Sequence, residues 1–196
     1  MSTLNVTNIK AADGTTGLTI ANSTGRVTMP NTGKGLFQVY SNSSQSLASN
    51  ATTIVQLDQK VFDPDNYFNT SNYRYTPQVA GYYVIEAQIM WEADAGDNVY
   101  LSSYIYKNGS HSHSTGASPY ISGNGTAKPM GIKSIVMGTS NEHYTRASTL
   151  VYFDGSTDYV DLRGYIYNYT DSGATDNLMK GHADNMITWM YGYRID

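Results

Sequence analysis

The alternation of apolar and polar positions is clearest between Gly81 and Trp91. Tyr83, Ile85, Ala87, Ile89 and Trp91 interleave there with Tyr82, Val84, Glu86, Gln88 and Met90. Successive side chains of an extended chain project to opposite faces, so a period of two predicts a strand with one face on a core. A second strand is expected over 98–106, where Val99, Leu101, Ser103 and Ile105 alternate with Tyr100, Ser102, Tyr104 and Tyr106. Lys107-Asn108-Gly109 then gives a turn signal. Further strands are expected over 145–153, ended by Asp154-Gly155, and over 158–169, with Val160, Leu162 and Ile166 on one face. A last strand over 186–195 is dense in Trp189, Tyr191 and Tyr193. No segment shows a helical period. Many short strands joined by Gly-containing turns predict a sandwich or barrel. Residues 107–143, with His111, His113, Gly116, Gly123, Gly125 and Pro129, break the pattern and are expected to form a long loop or ragged hairpin.

Residues 1–34 behave differently. Their apolar residues come in short alternating pairs, Leu4 with Val6, Leu18 with Ile20 and Val27 with Met29, punctuated by Gly14, Gly17 and Gly25. This predicts tiny strands, each with too few apolar side chains to close a core from one copy. Three copies wound together would close one. The expected division is therefore an attachment segment over 1–34 and a globular head over 35–196.

Composition narrows the class. Hydrophobic residues make up 40% of the chain and charged residues only 14%, below the usual quarter or so. Ser, Thr, Asn, Gly and 18 Tyr fill the difference. Disordered chains are charge-rich and aromatic-poor, so this composition belongs to a folded β-protein with a neutral surface. The net charge of -4, without a basic run, argues against nucleic-acid binding, which needs a cationic face. No apolar stretch approaches the ~20 residues of a membrane-spanning helix, and Met1 to Gly14 carries no signal-peptide core. The chain has no cysteine, so its stability is expected to come from packing and oligomerisation.

Two resemblances give these patterns a name. The opening Met1-Ser2-Thr3-Leu4, with Val6 and Ile9, resembles the openings of many marine-phage tail-fibre and virion proteins. In the head, Leu57, Asp63, Phe68, Tyr75, Gly81, Tyr83 and Ile85 stand at the spacing of the aromatic signature shared by the globular heads of the complement first-component q subunit and the tumour-necrosis-factor family. Asp158-Tyr159-Val160-x-Leu162 is similar to that family's penultimate strand, and Trp189-x-Tyr191-Gly192-Tyr193 to its last. The departures are Leu57, Tyr75 and Ile85, where the family favours Phe. The resemblance covers residues 35–196. It implies an all-β, two-sheet antiparallel jelly-roll sandwich that assembles as a homotrimer. Tyr100, Tyr104, Tyr106, Tyr159, Tyr165, Tyr167 and Tyr169 lie opposite the expected core, and outer-face aromatics suit a trimer interface. The competing account is a tyrosine-covered outer surface.

Candidate chemistry is sparse. His111 and His113 share a face if extended, and three such pairs on a threefold axis would suit a transition metal such as iron. Two exposed loop histidines are the stronger reading, and no metal or cofactor is expected. Glu92, Asp94, Asp97 and Asp154 are loop acids without the Asp-x-Asp-x-Asp-Gly run of a calcium loop. Gly123-Asn124-Gly125 with Lys128 lacks the Gly-Lys-Ser/Thr of a phosphate loop. There is no Gly-x-Ser-x-Gly elbow, and His143 and His182 belong to no motif, so no enzymatic activity is expected. The expectation is a structural bacteriophage virion protein: a head or tail fibre, knob or decoration subunit. It would be assembled in the host cytoplasm and released by lysis. Leu4, Val6, Ile9, Leu18 and Ile20 would dock it to other virion proteins, and the head would meet a host-surface glycan or protein. A purely structural capsid or baseplate staple and a free carbohydrate-binding module are the alternatives.

Overall fold

The structure, a computed structural model, describes residues 8–10, 16–20, 27–28, 34–92, 98–109, 134–137, 142–168 and 178–195. Contacts divide the chain into two compact units, Met1–Lys34 and Gly35–Asp196. In the first, β1 (Asn8–Lys10), β2 (Thr16–Ile20) and β3 (Val27–Thr28) form a small antiparallel sheet in that order. Ile9 lies opposite Leu18, and Ile20 opposite Val27. Ile9 is exposed and Leu18 half-buried, so this sheet leaves that apolar pair open to solvent in the single chain. Leu4 and Val6 lie outside the described residues.

The second unit opens with six short strands: β4 (Phe37–Tyr40), β5 (Gln45–Ser46), β6 (Ala51–Ile54), β7 (Gln59–Phe62), β8 (Phe68–Asn69) and β9 (Arg74–Tyr75). There follow β10 (Gly81–Glu92), β11 (Asn98–Lys107), β12 (Ser134–Met137), β13 (Glu142–Phe153), β14 (Val160–Asn168), β15 (Leu178–Met179) and β16 (Trp189–Arg194), among which β10, β11, β13 and β14 are long. One sheet is built on β10. Its whole length pairs with β13 on one edge, while β16 and β15 share the other edge, and β4 and β7 continue outward from β16. The second sheet runs β12-β11-β14-β9-β8, with β6 also on β14. All pairings are antiparallel, no helix occurs among the described residues, and the chain crosses between the two sheets from β10 to β11, β12 to β13 and β13 to β14. The architecture is a jelly-roll sandwich.

The expected strands are present with small shifts at their ends. Within residues 107–143, expected as a long loop or ragged hairpin, β12 pairs back antiparallel on Asn98–Leu101 of β11, as a hairpin does, and β13 begins at Glu142. Ile135, Val136 and Met137 are consecutive apolar residues between Gly131 and Gly138, too short a run to show alternation. Asn108 and Gly109 form a turn with φ of 54° and 68°, the paired left-handed geometry of a type I′ turn.

The core explains the spaced signature. Leu57, Phe68, Tyr75, Tyr83 and Ile85 are all buried. Tyr75 stacks on Phe37 with centroids 3.8 Å apart, and meets Tyr83 and Phe153 edge-on at 6.2 and 6.0 Å. Offset and edge-on rings are the favoured packings of aromatic quadrupoles. The phenols do not waste their polar ends: Tyr75 donates to the Gly35 carbonyl and Tyr83 to that of Val79, each at 2.8 Å. Burial, then neighbouring Tyr83 and Asp63, pushes the Tyr75 phenol far up. Asp63 organises the preceding turn by accepting the backbone N–H groups of Tyr67 and Phe68 at 3.0 and 2.9 Å and the Lys60 ammonium at 2.8 Å. Gly81 opens β10 at φ 149°, a conformation costly for a side chain. Deeper in, Trp91 donates to the Thr145 hydroxyl at 2.7 Å, and Ser103 bonds the same hydroxyl from the facing sheet. Gly164 lets the Trp91 ring in, since a Cβ there would stand 2.6 Å from Trp91 Cη2.

Candidate functional site

With the inner faces filling the core, the outer faces of the two sheets carry what remains. On the sheet with β11 and β14, register sets Tyr100 beside Tyr167, Ser102 beside Tyr165, Tyr104 beside Arg163 and Tyr106 beside Asp161. Tyr100 meets Tyr165 edge-on at 5.9 Å, and the Tyr165 hydroxyl donates to Asn50 at 2.8 Å. Asp161 is fully buried and takes a two-pronged bond from Arg163 at 2.6 and 3.2 Å, with Arg74 Nε at 3.9 Å. Both guanidiniums sit over rings, Arg163 Cζ 4.2 Å from the Tyr106 centroid and Arg74 Cζ 4.0 Å from that of Tyr159. A cation over the electron-rich ring face is attracted by its quadrupole.

These contacts place the tyrosines of the expected interface. Tyr100, Tyr104, Tyr159, Tyr165 and Tyr167 are half-buried in the single chain. Tyr106 departs from the expectation. It is buried within its own chain, roofed by Arg163, and burial raises its phenol pKa while Thr52 bonds its hydroxyl. Tyr169 lies outside the described residues.

The other outer face was not singled out by the sequence. From β13 through β10 to β16, successive rows read Tyr152–Tyr82, then Leu150–Val84–Tyr193, then Ser148–Glu86–Tyr191, then Arg146–Gln88–Trp189. Strand β4 extends the last two rows with Gln38 and Tyr40. Ile195 donates its backbone N–H to the Tyr82 carbonyl at 2.9 Å and lies at the first row. Tyr82 and Tyr152 meet edge-on at 5.3 Å, and Trp189 stacks on Tyr191 at 5.3 Å. One half of the face is therefore apolar and the other polar.

The polar half is internally bonded. Glu86 accepts the Tyr191 hydroxyl, and that bond, then burial, pushes the phenol up to about 12. Arg146 Nε donates to Gln88 Oε1 at 2.9 Å, and Gln88 Nε2 donates to the Ile187 carbonyl at 3.0 Å. Gln88 is thereby buried although it points outward.

Among the described residues, no group of three His, Cys, Asp or Glu is placed to hold a metal. Glu92 pairs with Lys180. The Asp154 carboxylate caps its own turn, accepting the backbone N–H groups of Ser156, Thr157 and Asp158 at 2.9, 3.0 and 3.0 Å. His182 Nδ1 accepts the N–H groups of Asp184 and Asn185 at 3.1 and 3.2 Å. His143 sits in β13 opposite Trp91. His111, His113, Asp94 and Asp97 lie outside the described residues.

No protein-family model matches the chain, and no curated protein matches its sequence. Solved structures do resemble it. The globular domain of zebrafish complement 1qA has a TM-score of 0.54 at 12% identity, covering 83% of this chain and 98% of its own. The tumour necrosis factor Eiger from S. frugiperda has 0.53 at 8% identity, covering 82% and 92%. Murine APRIL has 0.52 at 9% identity, covering 82% and 98%. At such identities the likeness is one of fold. The head shares the jelly-roll fold of these domains.

Proposed function

We propose that the protein is a structural subunit of a bacteriophage virion whose head self-associates as a trimer through the outer face of β10, β13 and β16. The observation that carries this reading is the face itself. Tyr82, Leu150, Tyr152, Tyr193 and Ile195 are 43, 38, 40, 42 and 51% exposed in the single chain and gather at one end of it. Contiguous apolar surface of this kind marks an interaction site, and interface centres are rich in Tyr and Trp and poor in charge. The fold shared with the complement and tumour-necrosis-factor heads supports the same arrangement. On this reading the tyrosine ladder of β11 and β14, which the sequence alone would assign to the trimer interface, lies instead on the outside of the assembly, toward a host-surface glycan or protein. Three such faces turn weak contacts into avidity, so the role is display and attachment, and no residue is assigned to catalysis. The likeness of Met1 to Ile9 to phage virion openings supports residues 1–34 as the attachment segment.

Light scattering on the full chain tests the assembly. Wild type is expected at three times the 21.5-kDa chain mass, and Leu150→Arg, which places a charge in the apolar half, at the mass of one chain. Equal masses for the two would refute the proposed face. An antibody raised against the head is expected to label particles purified from a lysate; protein confined to the soluble fraction would refute the virion role.

A further inference from the structure

The apolar half of the β10 face accounts for sticking but not for orientation, because burial of apolar area is non-directional. The polar half supplies direction. Glu86 and Arg146 stand on adjacent strands in neighbouring rows of the outer face, two residues apart in register. Among the described residues they form no ion pair with each other: Glu86 is held by Tyr191 and Arg146 by Gln88. Each charge is thus tethered in a defined position by a neutral partner and retains capacity for an opposite charge. Further along β10 and β13 stand Glu92 and Glu142, with Glu92 already on Lys180, which follows β15.

We propose that Glu86 of one copy meets Arg146 of its neighbour and that this contact sets the register of packing between heads. The proposal rests on the reading above that this face joins copies of the chain. Charge complementarity selects a second copy as the occupant. The chain carries a net charge of -4, so copies repel in general, whereas Glu86 and Arg146 balance each other on this patch. A face with both signs side by side is complementary to a rotated copy of itself, and opposed charges at an interface fix register and exclude wrong arrangements. Tyr191 and Gln88 act as positioning residues for the two charges.

The test is a charge swap in the full chain, read as the concentration at which the trimer half-dissociates, with Leu150→Arg as the dissociated reference. Glu86→Arg or Arg146→Glu alone sets like charges against each other and is expected to raise that concentration at least about tenfold. The double variant Glu86→Arg/Arg146→Glu restores opposed charges and is expected within about threefold of wild type. Mixing the two single variants is expected to recover much of the association, since in a mixed trimer two of the three contacts pair opposite charges. Pairing confined to one copy gives no gain on mixing and would overturn the proposal. Should a reversal lower soluble yield, Glu86→Gln and Arg146→Gln replace it, each with a smaller rise. If Leu150→Arg dissociates the protein while neither reversal shifts the midpoint, the face stands and the Glu86–Arg146 contact falls. If Leu150→Arg also leaves the mass unchanged, both fall.

Discussion

Tyr75→Phe removes one hydroxyl and leaves the ring. That hydroxyl donates to the Gly35 carbonyl at 2.8 Å in a buried setting, and the ring keeps its stack on Phe37. A buried hydrogen bond contributes about 0.5–1.5 kcal/mol net, and an orphaned buried carbonyl costs about 1–3 kcal/mol. Gly35 is itself buried, so a loss of about 1–2 kcal/mol is expected, or about 2–8 °C in melting midpoint for a domain of this size. The substitution installs the residue that the resembling family favours, yet in this chain it strands the Gly35 carbonyl. A second arm uses pH. Burial raises the folded phenol far above its ordinary 10.0. The unfolded chain therefore releases this proton first, and stability that is complete below pH 10 is lost as pH rises, by about 1.4 kcal/mol per pH unit. Tyr75→Phe lacks that proton and is expected to lose less stability between about pH 10 and 11. Urea unfolding in the Leu150→Arg background keeps dissociation out of the comparison. Equal midpoints at neutral pH, with parallel losses on the alkaline side, would refute the reasoning.

Three further outcomes follow from the packing. Gly164→Ala places a methyl 2.6 Å from Trp91 Cη2 and 2.9 Å from Met179 Sδ, and overpacking is expected to cost about 1–3 kcal/mol by chemical denaturation. Asp161→Asn removes the buried anion between Arg163 and Arg74; because Arg74 reaches solvent, a loss of about 2–3 kcal/mol is expected, below that for a pair buried on both sides. Asp154 is held well below its ordinary 3.8 by the backbone N–H groups of Asp158 and Ser156. Its contribution is complete above that value and lost as pH falls, so Asp154→Ala is expected to show a shallower decline in melting midpoint on acidification, and an unchanged acid limb would contradict the cap.

The sequence discloses what is local. The alternation at 81–91 and 98–106 is a property of consecutive residues, and it places Tyr83, Ile85, Trp91, Leu101 and Ile105 in the core without knowledge of any partner strand. The spaced signature is legible for a different reason. Phe68, Tyr75 and Tyr83 lie on separate elements yet converge on Phe37 and Phe153, so their spacing reflects one aromatic cluster. What the sequence does not disclose is strand order. Tyr82 and Tyr152 meet only because β13 pairs with β10, and Tyr191 reaches Glu86 only because β16 takes the opposite edge. The face they form is therefore absent from any local pattern. The tyrosine ladder, by contrast, lies within two strands and is legible in their alternation. Tyr106 shows the limit of that reading: alternation tells which way it points, but its burial depends on Arg163 from a neighbouring strand.

The most direct measurement is the solution mass, by light scattering, of a chain beginning at Gly35. The account expects a trimer that persists on dilution as well as the full chain does, because the contacts between copies lie on β10, β13 and β16. A monomeric head beside a trimeric full chain would contradict it and would assign assembly to residues 1–34.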